Sequence, residues 1–239
     1  MPSADELSRD VNSILSQPWN SRDGQVVPET EDVALAGAAV KIDATVLYAD
    51  LADSTELAMY DKRVAAKVFK AYLLCATRLI RSLGGHVRSF DGDRVMGVFM
   101  GALKNTSAAK CGLHINYAFG HIIKPKLEQR YDKLRDGSYR LAQTVGIDTG
   151  EVLVVRSGIR NNNDLVWVGQ APNIAAKLSS IREDGYSTYV TKVVFDRLAD
   201  TLKYAVGPPR VSMWEPRTWT AGVPLGVGSI YRSSYWWKP

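Results

Sequence analysis

Apolar residues recur along this chain at two spacings, and the change from one to the other marks its elements. Over 42–49, Ile42, Ala44, Val46, Leu47 and Ala49 make the compact run that a buried strand needs. Over 54–83, Leu57, Val64, Val68, Tyr72, Cys75 and Leu79 share one face at threes and fours, which predicts a single long helix. Gly84-Gly85 supplies the left-handed residues that a helix end favours. Strand-like runs at 87–90 and 94–100 flank Asp91-Gly92, a hairpin signal. A second long helix is predicted from Thr106-Ser107 toward 135, kinked or broken at Pro125. Strands at 141–148 and 151–155 are expected to pair around Thr149-Gly150. A short strand at 165–168 and a short helix at 172–181 follow.

The resulting β-α-β-β-α-β order is the ferredoxin-like split pattern, here extended. The expected class is α+β, a palm of antiparallel-rich sheet with helices on one face. Residues 1–40 read as an appendage: a short helix at 5–15, then an extended arm with Pro18, Asp23-Gly24, Pro28 and the acidic Glu29, Glu31 and Asp32. Residues 41–239 are expected to form the main domain. With 239 residues, 46% of them hydrophobic, the chain can bury a full core.

Composition narrows the function classes. No window approaches the roughly 20 apolar residues of a membrane span. The start, Met1-Pro2-Ser3-Ala4-Asp5-Glu6, is acidic where a secretory signal is basic, so the expected location is the cytoplasm. Cys75 and Cys111 lie in apolar, helix-like contexts and read as free thiols. The net charge of +5 suits a polyanionic substrate, but the lysines and arginines are spread over helix faces, which argues against a nucleic-acid partner. His86, His114 and His121 lack metal-ligand spacing. Trp214, Trp219, Trp236 and Trp237 are expected to cover core and edge strand, and Asn161-Asn162-Asn163-Asp164 reads as a turn.

Chemistry concentrates at two aspartates. Asp50 closes the first apolar run, and Asp93 follows the hairpin turn. If the two strands lie side by side, both carboxylates reach one sheet edge as hard oxygen ligands for Mg²⁺ or Mn²⁺. The backbone N–H groups of Leu51, Ala52, Asp53, Ser54 and Thr55, at the helix start, are then placed to cradle phosphates. Metal plus phosphate cradle is nucleotide chemistry. Asp53 itself is expected to cap the helix, and Asp91 to serve the turn.

Five motifs in register carry a family resemblance. They are Tyr48-Ala49-Asp50-Leu51 through Thr55, Gly84-Gly85, Gly92-Asp93, Val145-Gly146-Ile147-Asp148-Thr149-Gly150-Glu151-Val152, and Val168-Gly169 through Asn173 to Lys177. In this order, over residues 42–194, the chain resembles the class III nucleotide cyclases. The resemblance implies that residues 41–239 are a catalytic domain working as a head-to-tail homodimer with shared sites. Asp50 and Asp93 of one protomer would hold two divalent cations, and Asn173 and Lys177 of the other would orient the ribose and stabilise the α-phosphoryl group.

The departures from the pattern are informative. Position 177 is an arginine in most cyclases, and lysine supplies the charge without the planar fork, which leaves open a working variant or a degenerate site that binds without turnover. The lysine and aspartate that read adenine fall here on Ser89 and Val166, with a one-residue slip placing Arg88 nearby, and neither can satisfy the polar edge of adenine. Tyr48, beside Asp50, is bulky enough to shorten the base pocket. Together these features resemble the bacterial pyrimidine cyclases of Pycsar anti-phage defence. They imply a UTP-to-cyclic-UMP enzyme signalling to a separate cyclic-nucleotide-responsive effector. CTP to cyclic CMP, ordinary adenylate cyclase activity, and a nucleotide-binding fold without turnover stand as alternatives.

Overall fold

In the computed structural model, residues 1–137 and 139–239 are described. The strands, in chain order, are β1 Asn20–Asp23, β2 Ala38–Leu51, β3 His86–Asp91, β4 Arg94–Phe99, β5 Gln143–Ile159, β6 Asn162–Val168, β7 Thr188–Thr191, β8 Glu215–Thr218 and β9 Ser229–Ser233. The helices that matter below are α1 Ala4–Ser16, α2 Ser54–Tyr60, α3 Lys62–Ser82, α4 Lys104–Tyr117, α5 Lys124–Arg130, α6 Asp132–Arg135 and α7 Gln170–Ser179. The chain divides into two compact units, residues 1–43 with 151–170, and residues 44–150 with 171–239.

In the first unit β1 runs parallel to the start of β2, and Asp23 beside Lys41 adds an ion pair at 3.1 Å. β6 pairs antiparallel with the second half of β5, from Leu153 beside Val168 to Ile159 beside Asn162. Asn161 makes the turn at φ 70°, so Asn162, Asn163 and Asp164 are strand, not the loop expected from their composition. α1 opens on a capping box in which the Ser3 hydroxyl accepts from Glu6 N–H and the Glu6 carboxylate accepts from Ser3 N–H. Leu7, Val11 and Ile14 stand exposed along it.

In the second unit the strands lie in the order β3-β4-β2-β5-β7-β9-β8. The first four reproduce the ferredoxin-like order, with β2 antiparallel to β4, and β7 extends the sheet parallel to β5. α3 and α4 bury Ala65, Val68, Tyr72, Ile80, Ala108, Cys111 and Leu113 in one core with Leu47, Val95, Val145, Ile147 and Val190. A smaller cluster joins Ile174 and Leu178 of α7 to Tyr189 and Ile230. Because successive strand residues face opposite sides, Val190 and Tyr189 put α7 on the sheet face away from α3 and α4. Cys75 and Cys111 are free thiols, Trp214 is buried with its indole N–H on Leu202 O, and Trp236 is half exposed.

Three sequence expectations are corrected here. The single helix over 54–83 is two helices, because Asp61 adopts an extended conformation and its carboxylate caps α3 through Arg63 N–H at 2.7 Å and Val64 N–H at 3.2 Å. The second helix is not broken at Pro125 itself: the irregularity is a π-helical turn, Ala118–Ile123, directly before the proline, which sits in the first turn of α5. The expected strand pair around Thr149-Gly150 is one strand, β5. Thr149 does not turn the chain: its hydroxyl donates to Ala44 O and accepts from Thr45.

Gly146 fixes α7 on the sheet. A Cβ there would lie 2.2 Å from Ala175 O and 2.3 Å from Ser179 N, both backbone atoms of the helix. Gly146→Ala should therefore destabilise the fold by about 2–3 kcal/mol, since rigid backbone must shift to admit a methyl group. A denaturation midpoint equal to that of the parent would show that α7 can be displaced without cost.

Candidate active site

β2 delivers Asp50 to its C-terminal end, where the carboxylate is buried, only 5% of the residue remaining exposed. One oxygen, Oδ2, accepts from two guanidinium groups, Arg94 at 3.0 Å and Arg182 at 3.1 Å. Arg182 is more heavily committed: it also donates to Ser179 O at 2.6 Å, Ile181 O at 3.1 Å and Leu51 O at 3.3 Å. It works as a strut from the end of α7 to the end of β2. Its position just past α7 was visible in the sequence, but nothing local connects residue 182 with residue 50.

Asp93 follows Gly92, whose φ of 60° lets the β3–β4 turn close tightly. Burial, and after it the charge of Asp50, push the Asp93 carboxyl above the usual carboxylate range, while a hydrogen bond with the Ser54 side chain opposes the shift. Among the described residues its Oδ2 is buried without a hydrogen-bond partner. Two electrostatically coupled carboxylates, one of them with an unmatched oxygen, suit a hard divalent cation, and the donor set is all oxygen. Among the described residues there is no cluster of three or more His, Cys, Asp or Glu side chains, so a cation here would rest on this pair with backbone, water or substrate oxygens.

The turn after Asp50 is only partly available to a ligand. Ala52 N–H is already donated to Ala142 O at 2.9 Å, which removes it from the expected phosphate cradle. Leu51 O is held by Arg182, and Tyr139 donates its hydroxyl to Ala52 O and Asp53 O. Asp53 does not cap α2 with its side chain; its φ of 55° makes it the turning residue instead. Ser54 and Thr55 open α2, with Ser54 bonded to Asp93.

Tyr48 stands two residues before Asp50 on β2, opposite Met96, and its hydroxyl contacts Met96 Sδ at 3.3 Å. The Ser89 hydroxyl hydrogen-bonds Tyr48, and the Arg94 guanidinium lies 5.9 Å from the ring centroid. Burial holds the phenol above its ordinary pKa. Ser89 itself pairs with Met96, and Arg88 is the extra residue of a β-bulge between Val87 and Ser89. Val166 belongs to β6, in the first unit, and is partly exposed.

Asn173 and Lys177 are one turn apart on α7 and share its exposed face, while Ile174, Ala175 and Leu178 point into the fold. Lys177 lines a cavity of about 340 Å³ with Arg94, Ala176, Ser180, Trp219 and Ala221. Asp148, in the fourth motif, is structural: it accepts a 2.6 Å hydrogen bond from Thr191, and burial raises its carboxyl to about 6. His114 is bonded to Trp237 O and His121 stacks on Tyr117, so neither approaches the carboxylate pair as a ligand.

No protein-family model matches the chain. Curated relatives do. A uridylate cyclase of Rhodovulum sp. (strain MB263) is 46% identical over 236 residues, 98% of this chain and 97% of the relative. The chain belongs to the uridylate cyclase family. A uridylate cyclase of Burkholderia cepacia is 41% identical, covering 99% of both chains. Among solved structures, the adenylyl cyclase CyaB from P. aeruginosa shares the fold at TM-score 0.66 and 21% identity, over 82% of this chain and 95% of that one. This member of the family is thus a nucleotide cyclase on the class III palm. Sequence reasoning had singled out its aspartates, Tyr48, Ser89, Asn173 and Lys177; it missed Arg94 and Arg182, which share Asp50.

Proposed function

We propose that this cyclase converts UTP to 3′,5′-cyclic UMP and pyrophosphate, in sites shared by two copies of the chain. The observation that carries this reading is near full-length identity with proteins named uridylate cyclase. The residues beside Asp50 agree with it. Tyr48, braced by Met96 and Ser89 on the strand that ends in Asp50, is bulky enough to shorten a base pocket, and neither Ser89 nor Val166 can read a purine edge. The catalytic domain is residues 41–239, behind the 1–40 arm.

Asp50 and Asp93 are the residues that would hold Mg²⁺ or Mn²⁺, two ions in all. Such ions, when bound, acidify the ribose 3′-hydroxyl and offset the triphosphate charge. Asn173 orients the ribose, Lys177 meets the charge on the α-phosphoryl group, and the 53–55 turn faces the remaining phosphates. O3′ bonds to the α-phosphorus as its proton passes to water; the bond from phosphorus to the bridging oxygen breaks, and pyrophosphate leaves with the electron pair. The product would act as a second messenger in anti-phage defence, read by a separate effector in the cytoplasm. No helix among the described residues is long and apolar enough to cross a membrane.

The test is direct. Purified protein with Mn²⁺ and each of the four ribonucleoside triphosphates in turn should give cyclic UMP by mass spectrometry. Cyclic CMP would change the base but keep the pyrimidine reading. Cyclic AMP or GMP as main product would overturn it, and no product at all would leave a binding fold.

A further inference from the structure

Lysine at position 177 leaves the proposed site without the planar guanidinium that suits a phosphoryl group in transit. A guanidinium is nonetheless at hand. The cavity of about 340 Å³ is bounded by Arg94, Ala176, Lys177, Ser180, Trp219 and Ala221. Two of the six are cations and none is acidic, so the space favours an anion. Ala176 and Ala221 keep it open, and Trp219 walls it.

The two arginines on Asp50 differ in what they can do next. Arg182 is spent on four oxygens, three of them backbone carbonyls. Arg94 makes both its hydrogen bonds through one nitrogen, Nη2, to Asp50 Oδ2 at 3.0 Å and Ser180 Oγ at 3.2 Å. Its Nε is buried with no hydrogen-bond partner among the described residues. An arginine carries five N–H donors, so most of this fork is uncommitted to acceptors in the bonds it makes here. Asp50 is an anchor it would give up when a cation takes that oxygen.

We propose that Arg94 is a catalytic residue, gripping with Lys177 of the same protomer the α-phosphoryl group of the nucleotide and supplying the fork that Lys177 lacks. This rests on the cyclase reading above. Charge that builds on the non-bridging oxygens during in-line displacement is met by two parallel N–H donors, and Ser180 and Asp50 are the resting partners of that guanidinium. The fork comes here from the first residue of β4.

Arg94→Lys keeps a positive charge beside Asp50 and removes the fork. It should lower kcat by about 10²–10³-fold, with KM for UTP changed by less than about threefold and an unchanged melting temperature. Adding Lys177→Arg to that variant should return about tenfold or more of the lost kcat. Subunit mixing identifies which half-site Arg94 serves. Arg94→Lys mixed with Asp50→Ala should recover activity, because intact carboxylates on one chain then meet intact Arg94 and Lys177 on the other. Arg94→Lys mixed with Asn173→Ala should not. A kcat within about threefold of the parent would overturn the proposal. So would the reverse pattern of rescue, which makes Arg94 a support for Asp50 alone. A parent enzyme that turns over no nucleotide fails earlier and differently, and takes the cyclase reading with it.

Discussion

Asp50→Ala and Asp93→Ala are each expected to abolish product formation, by about 10³-fold or more, yet to move stability in different directions. On the proposed reading the catalytic loss is common because either change would leave a divalent cation with one protein carboxylate. The stability difference follows from the surroundings. Asp50 offsets Arg94 and Arg182, whose side chains are 27% and 33% exposed, so its removal strands two partly buried cations. That should cost about 1–3 kcal/mol in metal-free buffer. Asp93 is a desolvated carboxyl with one unmatched oxygen beside a like charge, so its removal relieves strain and should leave stability unchanged or raised. Pyrophosphate release and thermal unfolding, measured on the same preparations, check both halves. Retained turnover in either variant would remove the cation assignment; Asp93→Ala melting well below Asp50→Ala would reverse the electrostatic picture.

The second large effect is a recovery. Asp50→Ala and Asn173→Ala should each be inactive alone and active when mixed. In the proposed shared-site dimer each lesion would spoil one half of a site, and a mixed dimer would contain one site with both halves intact. With equal amounts and free exchange, half of the dimers are mixed and each has one working site of two, so activity should return to about a quarter of the parent. Proven exchange without recovery would mean that Asp50 and Asn173 act within one chain, and the shared-site arrangement would fall.

Much of this site was legible because its signals are local. An apolar run ending in Asp50 marks a buried strand reaching a sheet edge, and Asp91-Gly92 marks a turn that delivers Asp93; both elements formed as expected. Asn173 and Lys177 are four apart on a helix, which alone sets them on one face. What could not be read depends on tertiary partners. Arg182 reaches Asp50 across 132 positions of sequence, and no spacing rule links them. Thr149-Gly150 carries turn chemistry, but the Thr149 hydroxyl is engaged by Ala44 and Thr45 and the strand runs straight through. The break at Asp61 was hidden because the apolar stripe continues across it, although an aspartate ahead of a helical run is itself a cap signal. Ala52 was placed among the phosphate donors since a helix start leaves amides unsatisfied, and only the fold reveals that Ala142 has claimed it.

The reach of α7 is set by an atom that is not there. α7 carries Asn173 and Lys177 outward while its Ala175 and Ser179 backbone rests on Gly146, separated from the strand by no more than a hydrogen. Any other residue at 146 would lift the helix away from the sheet, and both side chains would move out with it. The innermost position in that stack therefore works as a depth gauge for groups on the far side of the helix.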